Sequence, residues 1–263
     1  MAVVDLVVVE DPVDPEAVNV FVDGSIGETA IRFMLDTGAG GCTVPLSDST
    51  RDLNVTGRRQ GSGASGIAVE ADEVIVPQLR LGDFVIEDVA ATRSLAESPL
   101  SALLGMAALG RYCCEFRFSN RELEFDGEVA RGDWFDLPTH VGAQPIVPVR
   151  FESVVESACW DTGAALSVAD VRFASEHPHL FEVVRTTRAI DSTGVEMRGQ
   201  LCRMAACRVG GVSIGCSECA LLDLSALNGS LERPISFVLG MPAILQADWT
   251  FDFPRRRWRV QRF

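Results

Sequence analysis

The sequence predicts a mainly all-β protein in which one β-barrel unit, with one short helix, occurs twice in tandem. Two observations support this prediction: short runs alternate apolar and polar residues, and three blocks of sequence recur in the same order. The 263 residues are enough for two units of about 120 residues, a usual domain size. We therefore expect two lobes, 1–130 and 131–263, related by a pseudo-twofold axis.

Three pairs of segments carry the repeat. They are Phe33–Ala39 with Ala158–Ala164, Leu79–Ile86 with Cys207–Ile214, and Leu103–Met106 with Val238–Met241. Two long copies indicate paired domains, because a solenoid needs at least three short repeats. The stretch from Asp126 to Gln144 contains Gly, Pro and His, and we place the linker there.

The coarse secondary structure follows from the same pattern. Val18–Val22 and Ile31–Leu35 alternate as strands do. Glycines at Gly82 and Gly210 separate apolar runs and predict hairpin turns. A short helix is expected after each Leu-Gly-Met block. Val3–Val9 predicts a further strand, for which the segment 258–263 is a candidate partner.

Composition excludes several classes of partner. Acidic residues outnumber basic ones by 37 to 23, for a net charge of −14, which argues against a nucleic-acid partner. No stretch approaches the roughly 20 apolar residues of a membrane helix, so we expect no integral membrane segment. The adjacent Cys113 and Cys114 do not suit a compact disulfide framework, and Met1–Glu10 does not resemble a signal peptide. These features favour a reducing compartment, the cytoplasm.

The candidate catalytic residues lie in the segment Asp-Thr-Gly-Ala, which occurs at Asp36–Ala39 and again at Asp161–Ala164. Two carboxyl groups about 3 Å apart cannot both ionise, so they share one proton. One of them can then act as a base while the other acts as an acid. We therefore expect Asp36 and Asp161 to be the catalytic pair.

The neighbouring residues suit such a pair. Gly38 and Gly163 permit a tight turn that directs each carboxyl group into a cleft. Thr37 and Thr162 offer hydroxyl groups that can hydrogen-bond to the backbone of the other unit.

These residues, with the apolar-apolar-Gly blocks at Leu103–Gly105 and Val238–Gly240, resemble the aspartic proteases, in particular the retropepsin-like branch. The resemblance implies a β-rich aspartic endopeptidase that acts on peptide or protein substrates, without a metal or an organic cofactor. Retropepsins are usually homodimers, whereas here both motifs stand in one chain. Since two lobes supply a full site, we expect a monomer.

The resemblance also implies two substrate-binding flaps, one per unit, roughly 30 residues after each Asp. The residues concerned are Ser62, Gly63, Ala64, Ser65, Gly66, Asp191, Ser192, Thr193 and Gly194. The segment from Asp191 to Gly194 imitates the catalytic motif, but no carboxylate stands at the equivalent place in the first unit. We therefore interpret it as a flap tip.

Three other interpretations of the sequence are a binding module, a zinc site and a nucleophilic triad. The same fold could serve as a catalytically silent peptide-binding or protein-interaction module, although such a module has no need for two intact motifs. Zinc binding by Cys202, Cys207, Cys216 and Cys219 is disfavoured, because the internal alignment puts these residues on strands and hairpins without a metal-binding loop. A nucleophilic triad lacks support, because His140, His177 and His179 lie in the linker and in a polar loop.

Overall fold

A computed structural model of the chain describes residues 2–12, 14–62, 68–95, 102–127, 132–139, 143–190, 196–229 and 234–262. These residues are mostly in β strands, which confirms the predicted fold class. The strands of the first half are β1 (Ala2–Glu10), β2 (Val18–Ile26), β3 (Thr29–Leu35), β4 (Cys42–Val44), β5 (Val55–Ser62), β6 (Ala68–Leu81), β7 (Phe84–Ser94), β8 (Leu103–Leu104), β9 (Cys113–Arg117) and β10 (Glu122–Phe125).

The remaining strands follow in the second half. They are β11 (Phe135–Asp136), β12 (Ile146–Arg150), β13 (Val155–Trp160), β14 (Ser167–Asp170), β15 (Phe181–Ile190), β16 (Glu196–Met204), β17 (Cys207–Val209), β18 (Val212–Ile214), β19 (Ser217–Leu222), β20 (Phe237–Leu239), β21 (Asp248–Asp252) and β22 (Arg257–Gln261).

The helices of the described segments are short. They are α1 (Asp48–Arg51), α2 (Met106–Leu109), α3 (Val171–Glu176), α4 (Ser225–Asn228) and α5 (Met241–Ile244), with a single 3₁₀ turn at Pro178–Leu180. Helices α2 and α5 confirm the predicted helix after each Leu-Gly-Met block. None of the helices described is long and apolar enough to cross a bilayer.

The strands form two sheets. The first has the order β11-β22-β21-β9-β10-β1-β2-β3-β8-β4-β7-β6-β5, and the second has the order β15-β16-β19-β14-β20-β13-β12-β17-β18. Alternation explains why these segments become strands: in β2, the side chains of Val18, Val20 and Val22 are buried, and the intervening residues are partly exposed. The predicted hairpin turns are confirmed, since Gly82 and Gly210 adopt positive φ between β6 and β7 and between β17 and β18.

The same local topology occurs in both halves. β3 pairs in parallel with β8, and β13 pairs in parallel with β20. The later strand of each pair also lies antiparallel to a short neighbour, β4 in the first half and β14 in the second. The Asp-Thr-Gly segments leave β3 and β13 at equivalent ends of these pairs.

Strands from the C-terminal end complete the first sheet. β21 pairs with β9, and a fully buried aromatic cluster that includes Trp160, Phe116 and Phe251 lies at this junction. The ring centroids of Trp160 and Phe251 are 4.5 Å apart. Burying such side chains contributes about 1.5–3 kcal/mol each. The cluster therefore holds the strands of the two halves together.

One expected strand pairing is wrong. Val3–Val9 does form a strand, but β1 pairs with β2 and β10, while β22 pairs with β21 and β11. Three strands separate β1 from β22 in the sheet. An alternating pattern specifies which face of a strand is buried and does not specify its partner, which explains the error. The lobe boundary between residues 130 and 131 stays a prediction.

Candidate active site

Asp36 and Asp161 stand directly after the central strands β3 and β13. The amide of Asp36 donates to the carbonyl of Leu104 at 3.1 Å, and the amide of Asp161 donates to that of Leu239 at 3.0 Å. Each aspartate is thus anchored to the apolar-apolar-Gly strand beside it.

A second contact closes each loop. The carbonyl of Ala39 accepts from the amide of Met106 at 2.9 Å, and the carbonyl of Ala164 accepts from that of Met241 at the same distance. These amides belong to the first residues of α2 and α5, whose N–H groups have no partner within their helices. The free N–H group at the start of each helix therefore serves as the donor to a carbonyl of the neighbouring aspartate loop.

The two threonines bridge the loops. The hydroxyl of Thr37 donates to the carbonyl of Trp160, and the hydroxyl of Thr162 donates to the carbonyl of Leu35, both at 2.8 Å. Each hydroxyl oxygen also accepts from the amide of the other threonine at 3.1 Å. Both threonines are buried. These four reciprocal bonds hold the two Asp-Thr-Gly segments in one rigid arrangement, as the sequence suggested for the hydroxyl groups.

The glycines allow each carboxyl group to lie against the opposite loop. A Cβ atom added at Gly38 would overlap the carboxyl group of Asp161, and one added at Gly163 would overlap that of Asp36. The amide of Gly38 donates to Asp161 Oδ1 at 3.1 Å, across the two halves. The structure thus brings Asp36 and Asp161 together, although they are far apart in sequence.

Burial dominates the electrostatics of this pair. It raises the pKa of Asp36 to about 8, with a further contribution from the neighbouring charge of Asp161. Burial also raises the pKa of Asp161, although the amides of Gly163 and Gly38 oppose this by stabilising its charged form. Since adjacent carboxyl groups resist double ionisation, the pair holds a proton near neutral pH and titrates as one unit.

Sequence reasoning missed three residues that support the loops. The amide of Gly105 donates to Cys42 Sγ at 3.4 Å, and the amide of Gly240 donates to Ser167 Oγ at 3.1 Å. Cys42 and Ser167 stand at the same distance after their aspartates, so the internal alignment could have found them. A third residue, Gln144, donates from Nε2 to the carbonyl of Gly38 at 3.3 Å. It belongs to the predicted linker, where the repeat provides no guide.

The expected flap tips are not described by the structure. Gly63, Ala64, Ser65 and Gly66 lie outside the described residues, and so does the segment from Asp191 to Gly194. Ser62 is the last residue of β5. The flanking strands form antiparallel pairs, β5 with β6 and β15 with β16. The assignment of these hairpins as flaps stays a prediction.

The other candidate residues lie elsewhere in the molecule. Cys202 and Cys219 are buried cross-strand neighbours on β16 and β19, and the thiol of Cys202 donates to the carbonyl of Cys219 at 3.1 Å. Cys216 is exposed. Within the part of the chain that the structure describes, no group of three or more His, Cys, Asp or Glu side chains could hold a metal ion. The ring of His177 packs against Phe173, and His140 lies outside the described residues.

Comparison with known proteins supports an aspartic protease relationship for the first half. A family model described as aspartyl protease matches residues 22–108. The matched region includes the Asp36 loop and the Leu103–Gly105 block, and it ends before the second Asp-Thr-Gly segment. None of the curated proteins matches the chain.

Proposed function

We propose that this protein is an aspartic endopeptidase in which Asp36 and Asp161 of one chain activate the attacking water. The observation that carries the proposal is the set of reciprocal threonine bonds that holds the buried carboxyl group of Asp36 close to the partly exposed carboxyl group of Asp161. A carboxyl pair with raised pKa values suits acid–base chemistry, because one proton is retained while the other is lost.

The reaction uses the shared proton. Water held between Asp36 and Asp161 loses a proton to the ionised carboxylate, and its oxygen attacks the carbonyl carbon of the peptide bond. The protonated carboxyl group gives its proton to the carbonyl oxygen, which forms a neutral tetrahedral intermediate. Collapse of the intermediate transfers a proton to the leaving nitrogen, breaks the C–N bond and returns one proton to the pair. The mechanism requires no covalent enzyme intermediate and no cofactor.

The substrate in this proposal is an extended peptide or protein segment lying between lobes 1–130 and 131–263. The hairpins β5–β6 and β15–β16 act as flaps that close over it and exclude water. Thr37, Gly38 and Ala39, with Thr162, Gly163 and Ala164, keep the carboxyl groups in place. The active protein is a cytoplasmic monomer in this proposal, with no nucleic-acid partner.

Cleavage of a peptide library by the purified protein and by Asp36→Asn tests the proposal. We expect the wild type to cleave and the variant to lose nearly all activity, since an amide cannot act as the acid or the base. Equal cleavage by the two proteins would contradict the mechanism. A statine-type inhibitor that raises the melting temperature, with no peptide cleaved between acid and neutral pH, would instead favour a catalytically silent binding module.

A further inference from the structure

A pocket of about 330 Å³ lies away from the aspartates, between the first sheet and the β12–β13 and β17–β18 hairpins. Its lining residues are Phe135, Pro148, Arg150, Val155, Arg208 and the two glycines at 210 and 211. The volume is at the lower end of the roughly 300–1,000 Å³ that is usual for ligand pockets.

Two positive charges face each other in this pocket. Arg150 and Arg208 are directly opposite on the antiparallel strands β12 and β17. One guanidinium nitrogen of Arg208 donates to the carbonyl of Gly211 at 3.1 Å. Among the residues that the structure describes, no carboxylate lies within ion-pair distance of Arg150 or Arg208. Like charges directly opposite on a β pair are destabilising, so this pair costs stability unless an anion bridges it.

Within the described ranges, the two arginines thus have no acidic partner, although the chain has a net charge of −14. The nearest acidic residue on β13, Glu156, is paired with Val149 and so lies on the other face of the sheet from Arg150. The two arginines therefore offer a local positive site on an otherwise acidic protein. A carboxylate between two guanidinium groups would accept charge-assisted hydrogen bonds from both.

The rest of the pocket is apolar and exposed. Phe135 and Val155 are among the exposed large hydrophobic residues of the protein, at 38% and 51% exposure. Both line the pocket beside the arginines. An apolar side chain next to a carboxylate would cover these two residues while the carboxylate binds the charges.

Packing against Trp258 fixes one wall of the pocket. The ring of Phe135 packs against the buried Trp258, with centroids 5.0 Å apart. Gly210 has a φ of +55° and approaches Trp258 and Val260 too closely to carry a Cβ atom. The apolar wall formed by Phe135 is therefore held in place before a ligand binds, which lowers the ordering cost of that part of the site.

The pocket is separate from the aspartates. Val155 begins β13 and Trp160, directly before Asp161, ends it. Five steps of about 3.4 Å along the strand correspond to roughly 17 Å. A ligand here would leave the catalytic cleft free, and an extended peptide could reach both places.

We propose that this pocket binds an acidic segment of the protein substrate, in which Asp or Glu neighbours an apolar residue. The proposal rests on the proposed function only in taking the bound protein to be the substrate. The class of occupant follows from the complementary charge of the two arginines and the apolar surface of Phe135 and Val155.

The test uses the Asp36→Asn protein, so that the probe is not cleaved, and a fluorescein-labelled peptide containing Phe-Glu-Glu between Gly-Ser spacers. Anisotropy is expected to show binding that weakens when NaCl rises from about 0.05 to 0.5 M. The matched Phe-Gln-Gln peptide is expected to bind about tenfold more weakly or not at all. Equal binding of the two peptides would overturn the proposal.

Variants locate the binding. Arg150→Gln and Arg208→Gln are each expected to weaken binding about three- to tenfold. The control Arg121→Gln removes the same charge from an exposed turn and is expected to leave binding unchanged. Arg150→Gln should not lower the melting temperature, because it relieves a repulsion. Arg208→Gln also removes the exposed hydrogen bond to the carbonyl of Gly211, so its melting temperature should change little in either direction. A loss of affinity in the control as large as in the pocket variants would overturn the proposal.

Cleavage separates this proposal from the proposed function. The wild-type protein should cleave a peptide that carries the acidic segment with a lower KM than its Gln counterpart, and Arg150→Gln should remove the difference. If no peptide is cleaved while the acidic probe still binds at the arginines, the proposed function fails and the acidic-segment site stands. If peptides are cleaved but Phe-Glu-Glu and Phe-Gln-Gln bind alike, the pocket proposal fails alone.

Discussion

The two halves of the chain hold their aspartate loops with the same backbone contacts but surround the carboxyl groups differently. Asp36 is only 8% exposed, whereas Asp161 is more open and accepts from the amides of both Gly38 and Gly163. Behind the loops, the first half uses the thiol of Cys42 where the second uses the hydroxyl of Ser167. The repeat thus preserves the framework, while local differences make the aspartates inequivalent.

The largest expected effect comes from the two loop glycines. It tests whether the two aspartate loops pack equally closely against the opposite carboxyl group. Gly38→Ala and Gly163→Ala each place a methyl group against the opposite carboxyl group. We expect each to reduce cleavage about 100-fold or more, because small displacements of reacting groups are costly, and to destabilise the fold by about 1–3 kcal/mol. Initial rates and urea unfolding measure both effects.

Gly41→Ala is the matched control for these variants, since no atom lies within 4 Å of an added Cβ there. It should retain wild-type rates and stability. If Gly38→Ala or Gly163→Ala behaved like this control, the close packing of the two loops would be wrong.

The next effect concerns the reciprocal threonines. Thr37→Val and Thr162→Val each leave a buried amide and a buried carbonyl without a partner, at a cost of about 1–3 kcal/mol. We expect similar costs in the two halves and a double variant whose cost differs from their sum, because the bonds form one network. Thr→Ser at either position should restore most of the stability. Additive costs in a double-mutant cycle would contradict a shared network.

The dependence of stability on pH tests the raised pKa of the aspartate pair. Asp36 has a pKa of about 8 in the folded protein, above the ordinary value of about 4. The folded state therefore binds more protons than the unfolded state between these pH values, and the free energy of unfolding falls as pH rises through this window. Asp36→Asn does not undergo this fall in stability, because it has no carboxyl group to titrate at this position. The melting temperature of the variant minus that of the wild type should therefore increase from pH 4 to pH 8.

Asp161→Asn should show the same trend to a smaller extent, because the amides of Gly38 and Gly163 offset part of the burial effect. A difference in melting temperature between wild type and Asp36→Asn that did not change with pH would contradict the raised pKa. Proteolytic activity should likewise decline above about pH 8, where the pair loses its remaining proton.

The smallest effect tests the supports behind the loops. Ser167→Ala removes the acceptor for the amide of Gly240 and should cost about 1 kcal/mol. Cys42→Ser keeps an acceptor for Gly105 and should cost less, since a thiol is only a weak acceptor. Urea unfolding of both variants measures the difference. A larger loss for Cys42→Ser would show that burial of the thiol, not its hydrogen bond, supports the first half.

The parts of this molecule that could be predicted from sequence are those that the repeat or a turn specifies. The juxtaposed Asp36 and Asp161 segments follow from duplication, and the hairpins at Gly82 and Gly210 follow from residues that tolerate positive φ. The position of β1 beside β10 could not be predicted, because alternation does not identify a strand's partner. The contact of Gln144 with Gly38 depends on how the linker folds back, which local sequence does not specify.

Mixing two inactive variants tests most directly whether one chain supplies both aspartates. Asp36→Asn and Asp161→Asn are each expected to lose nearly all peptide cleavage, and an equimolar mixture of the two should remain inactive. Recovery of cleavage in the mixture would mean that the working pair forms between chains. Substantial activity in either variant alone would contradict the shared dyad.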